Sequence, residues 1–343
     1  MRQTTIENIA AGRRERRRRW IIVNSLLLVL ACMLCIGMLM MGNTIYPPGD
    51  VIRVLMGESV DGANFAVNTI RLPRMLAGLF AGIAFGIAGN TFQTMLRNPL
   101  ANPDILGITA GSSVAALFCI LILRTSNTTI SIAAVIAALV TVVIIYVLSK
   151  GRSFSVGRLI LVGIGVQAML GAMISYLLLI GAQQDIATAF RWLSGSLNGS
   201  QMNAIIPLMI SVVVCAPIVM ILGKHLSILE LGEESASSLG LNTDRTRILL
   251  ILSSVAMIAI ATATTGPIAF VAFLSGPIAK RLVGAGYSNV IPAGLVGLNL
   301  VLAADLIGQF AFEVRFPVGI ITGILGAPYL LYLLIRMNRK GSL

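Results

Sequence analysis

The side chains that could make or break bonds are few, and they are poorly placed for it. His225 is the single histidine, which excludes a histidine-rich metal site. The cysteines Cys32, Cys35, Cys119 and Cys215 all fall inside apolar runs. Cys32 and Cys35 have CxxC spacing, but no second pair or histidine cluster accompanies them, and redox or metal work needs an accessible thiolate. They read as packing residues. No GxxxxGK[ST] stretch is present, so any ATP is hydrolysed by another chain. No catalytic residue, metal site or cofactor is expected, and the chain is not expected to be an enzyme.

What remains is a set of polar side chains inside apolar runs: Asn90, Gln93, Gln167, Asn299, Asp305 and Gln309. Such groups face protein or water rather than lipid. Asp305 allows a proton-relay reading, against the more ordinary one of a carboxyl hydrogen-bonded between helices near their outer end. Arg71 and Arg74 flank Pro73, a residue suited to a first helical turn. Two arginines beside a positive helix N-terminus are unfavourable unless something acidic meets them. Interface snorkelling is one reading; an acid-accepting docking site is the other.

The elements that hold these residues are apolar. Of 343 residues, 57% are hydrophobic and 11% charged, with mean hydropathy +0.93. A soluble fold has too little interior to hide such a surface, so the chain is all-α and polytopic, with about ten transmembrane helices. The expected spans are 20–41, 75–96, 108–123, 130–148, 159–180, 204–222, 248–265, 268–282, 292–312 and 318–335. The eighth is short and contains Gly276-Pro277, so it is tilted, broken or partly re-entrant. Residues 1–19 form a basic cytoplasmic N-terminus with Arg13, Arg14 and Arg16 to Arg19. Because 20–41 is long enough to cross the membrane, it reads as an uncleaved first span rather than a signal peptide. Residues 20–336 form one membrane domain, and 337–343 a cytoplasmic tail.

The net charge of +12 does not imply nucleic acid, because the basic residues sit between apolar runs and at the N-terminus. With both ends inside, only Arg53, Arg71, Arg74, Arg124, Arg191 and Arg315 fall outside. That asymmetry orients the chain by the positive-inside rule. Two outer segments, 42–74 and 181–203, exceed a minimal turn, and the second holds a candidate interfacial helix at 187–197. The longest inner loop, 224–247, interleaves Leu229, Leu231, Leu239 and Leu241 with Glu230, Glu233, Glu234 and Asp244. Gly78, Gly82, Gly86 and Gly89 share one helix face on which another helix can come close. Two prolines make 98–104 a rigid non-helical turn. Short glycine-rich matches at 162–166 and 322–327 hint at an inverted repeat.

The stretch RLPRMLAGLFAGIAFGIAGNTFQTMLRNPLANPDILGITAGSS (71–113) closely resembles the permease family of iron–siderophore and cobalamin ABC importers. So do ESASSLGL (234–241), TGPIAFVAF (265–273) and FPVGIITGILGAP (316–328), in the same order. The resemblance covers nearly the whole chain. It implies a type II ABC importer permease, paired with a second permease subunit as a homo- or heterodimer. Two ABC ATPase subunits would drive it, and an extracytoplasmic substrate-binding lipoprotein or periplasmic protein would deliver the cargo. The cargo implied is a ferric siderophore, with cobalamin or haem as alternatives. A proton-coupled secondary transporter using Asp305 and a channel are the rival classes.

Carried over residue by residue, the resemblance places binding-protein docking at Arg71, Arg74 and Arg315. It places ATPase coupling at Leu229, Leu231, Glu233, Ala236, Leu239 and Gly240, and the translocation pathway at Gly163, Gly165 and Gln167. Arg315 departs from the family pattern, which has a glutamate near that position, and Gly276-Pro277 stands where many members carry Pro-His. Membrane lipid is the expected surrounding, and nucleic acid is not an expected partner.

Overall fold

In a computed structural model of the chain, residues 2–150, 156–229, 233–284 and 286–339 are described. The apolar runs coil into helices, the form in which each backbone N–H and C=O is satisfied within its own segment. In chain order these are α1 (Arg2–Met40), α2 (Pro48–Leu55), α3 (Leu72–Met95), α4 (Ile108–Phe118), α5 (Asn127–Ser149), α6 (Val156–Ile180) and α7 (Gln183–Leu193). There follow α8 (Met202–Ile221), α9 (Gly223–Leu229), α10 (Glu233–Ser238), α11 (Thr243–Thr265), α12 (Val271–Val283), α13 (Val290–Phe310) and α14 (Val318–Arg339). A wider π-type turn, Phe65–Arg71, leads into α3, and another, Cys119–Leu123, extends α4. Each of the expected spans corresponds to one of these helices. Among the described residues seven helices are long and apolar enough to cross a membrane, and Ile108–Leu123 and Val318–Leu333 are shorter apolar helices.

α12 has only 13 residues, which at 1.5 Å per residue is about 20 Å, short of the ~30 Å hydrocarbon core. Its entry explains the shortness. Phe270 sits in the left-handed region at φ +64°, so the chain turns abruptly after Thr265 and restarts as helix only at Val271. The shortened eighth span expected from Gly276-Pro277 is therefore present, though the break lies upstream of that pair.

Several boundaries differ from expectation; α11 begins at Thr243 rather than 248, and α14 runs to Arg339 rather than 335. α1 does not begin at the first apolar residue: the arginine run continues the same helix outward, arginine being a good helix former. The interfacial helix α7 ends at Leu193, four residues before the expected 197. Its exit is pinned by Ser196 N–H donating to Thr265 O (2.7 Å) and Gly319 N–H to Gly195 O (3.1 Å). α2, whose Val51 and Val54 are buried, lay unrecognised in the mixed segment 42–74.

α3 is the axis of the molecule, packed against α8, α11, α12 and α13. Its buried stretch is dominated by small residues: Ala77, Gly78, Ala81, Gly82, Ala84, Gly86, Ala88 and Gly89. The expected glycine face meets two helices. A Cβ at Gly82 would lie 2.5 Å from Leu298 Cα, and one at Gly86 would run into the Ala293 carbonyl, both on α13. At Gly89 it would strike the backbone of Ala272 on α12. By contrast α1, α5, α6 and α8 turn large apolar side chains outward, among them Leu26, Val143, Leu161, Leu179 and Val213. That surface suits lipid.

The α3–α13 approach yields a test. Gly86→Val should destabilise the protein at or above the top of the usual ~1–3 kcal/mol range for overpacking, because backbone cannot move aside. Gly171→Ala, where nothing lies within 4 Å, should leave the melting temperature in detergent unchanged.

Candidate functional site

The helix ends form two faces. One carries the end of α1 and the starts of α3 and α14, and the opposite one carries Trp20, the end of α3 and the end of α12. They are called here the Arg74 face and the Arg19 face.

At the Arg74 face the two arginines beside Pro73 find their partners within the chain. Arg71 is only 9% exposed. Its guanidinium donates to Leu39 O (2.9 Å) and Met40 O (2.7 Å) and to Thr44 O, and it lies 4.9 Å over the Tyr46 ring. The last carbonyls of a helix have no intrahelical donor and carry the negative end of its dipole. Arg71 thus caps α1. Gly42 makes the room, since a Cβ there would collide with the guanidinium. The docking role expected of Arg71 requires an accessible cation, and this one is buried and spoken for.

Arg74 meets Asp305 of α13 bidentately, Nε–H and one terminal N–H donating to its two oxygens at 2.8 Å each. Gln309 Nε2–H donates to the same carboxylate (2.7 Å), and Arg74 also reaches Asn198 Oδ1 (3.4 Å). Exposure of the pair is 14% for Arg74 and 1% for Asp305. The acid that electrostatics demanded near the arginines is therefore internal. Asp305 is the carboxyl hydrogen-bonded between helices, held by Arg74 of α3 and by Gln309. The i,i+4 pair Asp305/Gln309 was visible in sequence, but its partnership with Arg74, 231 positions away, was not. Arg315 is exposed and donates to Asn43 Oδ1.

On α6, Gly163 is buried, whereas Gly165 and Gln167 are exposed. Nothing lies within 4 Å of a Cβ at Gly165 or Gly171. A glutamine amide facing outward from the middle of an apolar helix is costly against lipid tails. This face calls for water or another protein surface.

At the Arg19 face the turn after α3 is built by its own asparagines. Asn98 Oδ1 accepts Leu100 N–H (2.8 Å), and Asn102 Nδ2–H donates to Asp104 (2.9 Å), whose other oxygen accepts the Thr109 hydroxyl. Burial pushes the Asp104 carboxyl up, against these hydrogen bonds, which favour its charged form. The expected rigid turn is present. A cavity of about 410 Å³ opens beside it, lined by Asn90, Gln93, Arg97, Lys280 and Asn289 among others. On the opposite face another, of about 330 Å³, is lined by Arg191, Trp192, Asn198, Gln201 and Thr264 among others.

The loop expected to couple to an ATPase forms the short helices α9 and α10. Leu231, and the side chains of Leu229 and Glu233, lie outside the described residues. α10 closes with Gly240 N–H donating to Ser237 O (2.9 Å) and Leu241 N–H to Ala236 O (3.0 Å), the Schellman arrangement. Gly240 supplies the left-handed residue at φ +81°. Ala236 is fully buried and Leu241 packs with it against the core, so these two anchor the loop. Leu239, 66% exposed, is what α10 offers outward.

The Arg74–Asp305 pair makes a sharp prediction. Arg74→Gln strands a buried carboxylate and should cost about 3–5 kcal/mol, whereas Arg74→Met with Asp305→Leu should recover most of it. Thermal unfolding in detergent reads both.

Relatives agree with this architecture. The ferric enterobactin transport system permease protein of Escherichia coli (strain K12) is 35% identical over 327 residues, covering 94% of this chain and 98% of that one. The achromobactin transport system permease protein of Dickeya dadantii (strain 3937) is 36% identical over 318 residues, 92% of this chain and 90% of that one. The fold matches the inward-facing structure of a transporter described as of metal-chelate ABC type, with TM-score 0.81 and 24% identity over 92% of this chain and 99% of that one. Residues 27–336 match the FecCD transport family. With that span and these identities, the chain belongs to the FecCD transport family, a family of ABC transporter permease subunits rather than enzymes.

Proposed function

We propose that this chain is the membrane permease subunit of an ATP-driven importer for ferric siderophores, with the Arg19 face and both termini in the cytoplasm. The relatives named for enterobactin and achromobactin support the cargo class. The excess of arginine and lysine on the Arg19 face supports the orientation.

The observation that carries the mechanism is Gln167, exposed on an α6 face that nothing among the described residues covers. The two cavities described above, about 330 and 410 Å³, lie at the small end of ligand pockets, whereas a ferric chelate is bulky and polar. Its route therefore runs along the outside of one subunit. The α6 face with Gln167 meets a second permease subunit there, and the chelate passes between the two. Recognition at high affinity belongs to a separate binding protein. The exposed Arg315 offers it positive charge, and Arg71 and Arg74 act indirectly, Arg71 by holding the loop that follows α1 and Arg74 by tying α3 to α13 through Asp305.

Two ATPase subunits work the gate from the cytoplasmic side through α9 and α10. Leu239 is the knob presented to the motor, and Ala236 and Leu241 pass its displacement to the core. Gly240 is the joint. A β-branched residue there meets no steric obstacle but is strained by the left-handed backbone, which asparagine tolerates.

Uptake of labelled ferric siderophore by a deletion strain carrying the gene tests the cargo. Gly240→Val should leave assembly and ATP hydrolysis in place but lower uptake at least tenfold, with Gly240→Asn close to wild type. Accumulation of the chelate by the purified chain alone, in vesicles without ATPase subunits, would overturn the reading.

A further inference from the structure

The arginine run ahead of Trp20 is divided by the helix into two faces with different partners. At 100° per residue, Arg13, Arg14, Arg17 and Arg18 fall within an arc of about 140°, and Arg16 and Arg19 lie outside it. Arg19 is used internally: its Nε–H donates to Leu282 O (2.8 Å) and a terminal N–H to Arg281 O (2.9 Å), capping α12. Arg16 lies against Gly286, where a Cβ would come within 3.0 Å of its Cδ. The other four are exposed, and among the described residues no ion pair engages them. Arg13/Arg17 and Arg14/Arg18 are i,i+4 like-charge pairs, which destabilise a helix. Glu15 is the one acid within the run, and it lies off their arc. Four guanidiniums are thus gathered on one surface without a counter-charge among the described residues.

The neighbourhood says what that counter-charge is. Trp20 donates its indole N–H to Ser288 O (3.2 Å) and lies 6.2 Å from the Tyr287 ring. Such aromatic pairs mark the headgroup level of a membrane. Rising 1.5 Å per residue, Arg18 to Arg13 stand roughly 3–10 Å beyond that level, within about one Debye length of the headgroups. Guanidinium pairs bidentately with phosphate, and polybasic segments immediately beside a span bind anionic leaflets. We propose that Arg13, Arg14, Arg17 and Arg18 form a binding surface for the phosphate headgroups of anionic phospholipids. Through Arg19 and Arg16 on the opposite side of the same two turns, a lipid held there steadies the end of α12. A free polyanion such as RNA carries the same charge but gains nothing from the aromatic level beside the site.

The test uses the purified full-length permease in neutral detergent, titrated with phosphatidylglycerol and phosphatidylcholine and read by native mass spectrometry. The wild type should bind phosphatidylglycerol at least tenfold more tightly, a preference that shrinks as salt rises from about 50 to about 500 mM. Changing all four residues to glutamine should abolish the preference without moving the melting temperature, and changing all four to lysine should keep most of it. Equal binding of the two lipids by the wild type would overturn the proposal. So would a preference that survives in the glutamine variant, or displacement of phosphatidylglycerol by short RNA at equal phosphate concentration. Lipid binding in detergent depends neither on cargo nor on membrane orientation, so its failure leaves the transport reading untouched.

Discussion

The structure depends on backbone-to-backbone contact along α3. In hydrocarbon, one helix gains little from touching another rather than lipid, because both surroundings are equally apolar. What distinguishes the native neighbour is closeness of approach, and that is set by residues with no side chain in the way. Gly82 and Gly86 admit α13, Gly89 admits α12, and Gly297 returns the same service from the α13 side. With these surfaces locked, the elements that carry function have a fixed frame: α6 on one flank, and α9 and α10 beneath.

Electrostatics closes the helix ends that packing leaves open. Helices that stop at the membrane surface expose carbonyls, and this chain answers with arginine. Arg71 caps α1 and Arg19 caps α12, while Arg281 lies 5.5 and 5.3 Å from the rings of Tyr329 and Tyr332 and so ties α12 to α14. The Arg74–Asp305 pair does the equivalent between α3 and α13. Arginine serves here because its fork reaches two acceptors at once and its charge persists where partly buried. Part of the chain's positive charge is thus structural.

A transporter of this kind needs a rigid body with a few exposed handles, and the distribution of polar groups follows that division. Asn90, Gln93 and Asn299 are buried; Gln93 and Asn299 donate to backbone carbonyls, and Asn90 accepts from Asn289. Gln167 alone among the intramembrane polar residues singled out from sequence is both mid-span and fully outward. Leu239 is the apolar counterpart at the end of α10. Separating a satisfied interior from an unsatisfied handle is what lets a partner subunit bind without competing against the fold.

Much of this was legible in the residues alone. Hydropathy located the apolar helices, because a hydrocarbon solvent leaves a long apolar segment no other way to satisfy its backbone. The prolines of 98–104 and the spacing of Gly78 to Gly89 announced a rigid turn and a close-packed face, since both act through local geometry. The family motifs drew attention to the segment of α9 and α10, of which Leu231 lies outside the described residues. What the tertiary structure decided was pairing across distance. Arg71 and Arg74 read alike in sequence, both cations beside one proline, yet one turns to the end of α1 and the other to Asp305. The break before α12 was likewise placed by the left-handed Phe270 and not by the Gly-Pro pair that drew attention. Local rules fix what a segment wants. Which distant carbonyl or carboxylate supplies it depends on which helices end beside each other, and that is settled only when they pack.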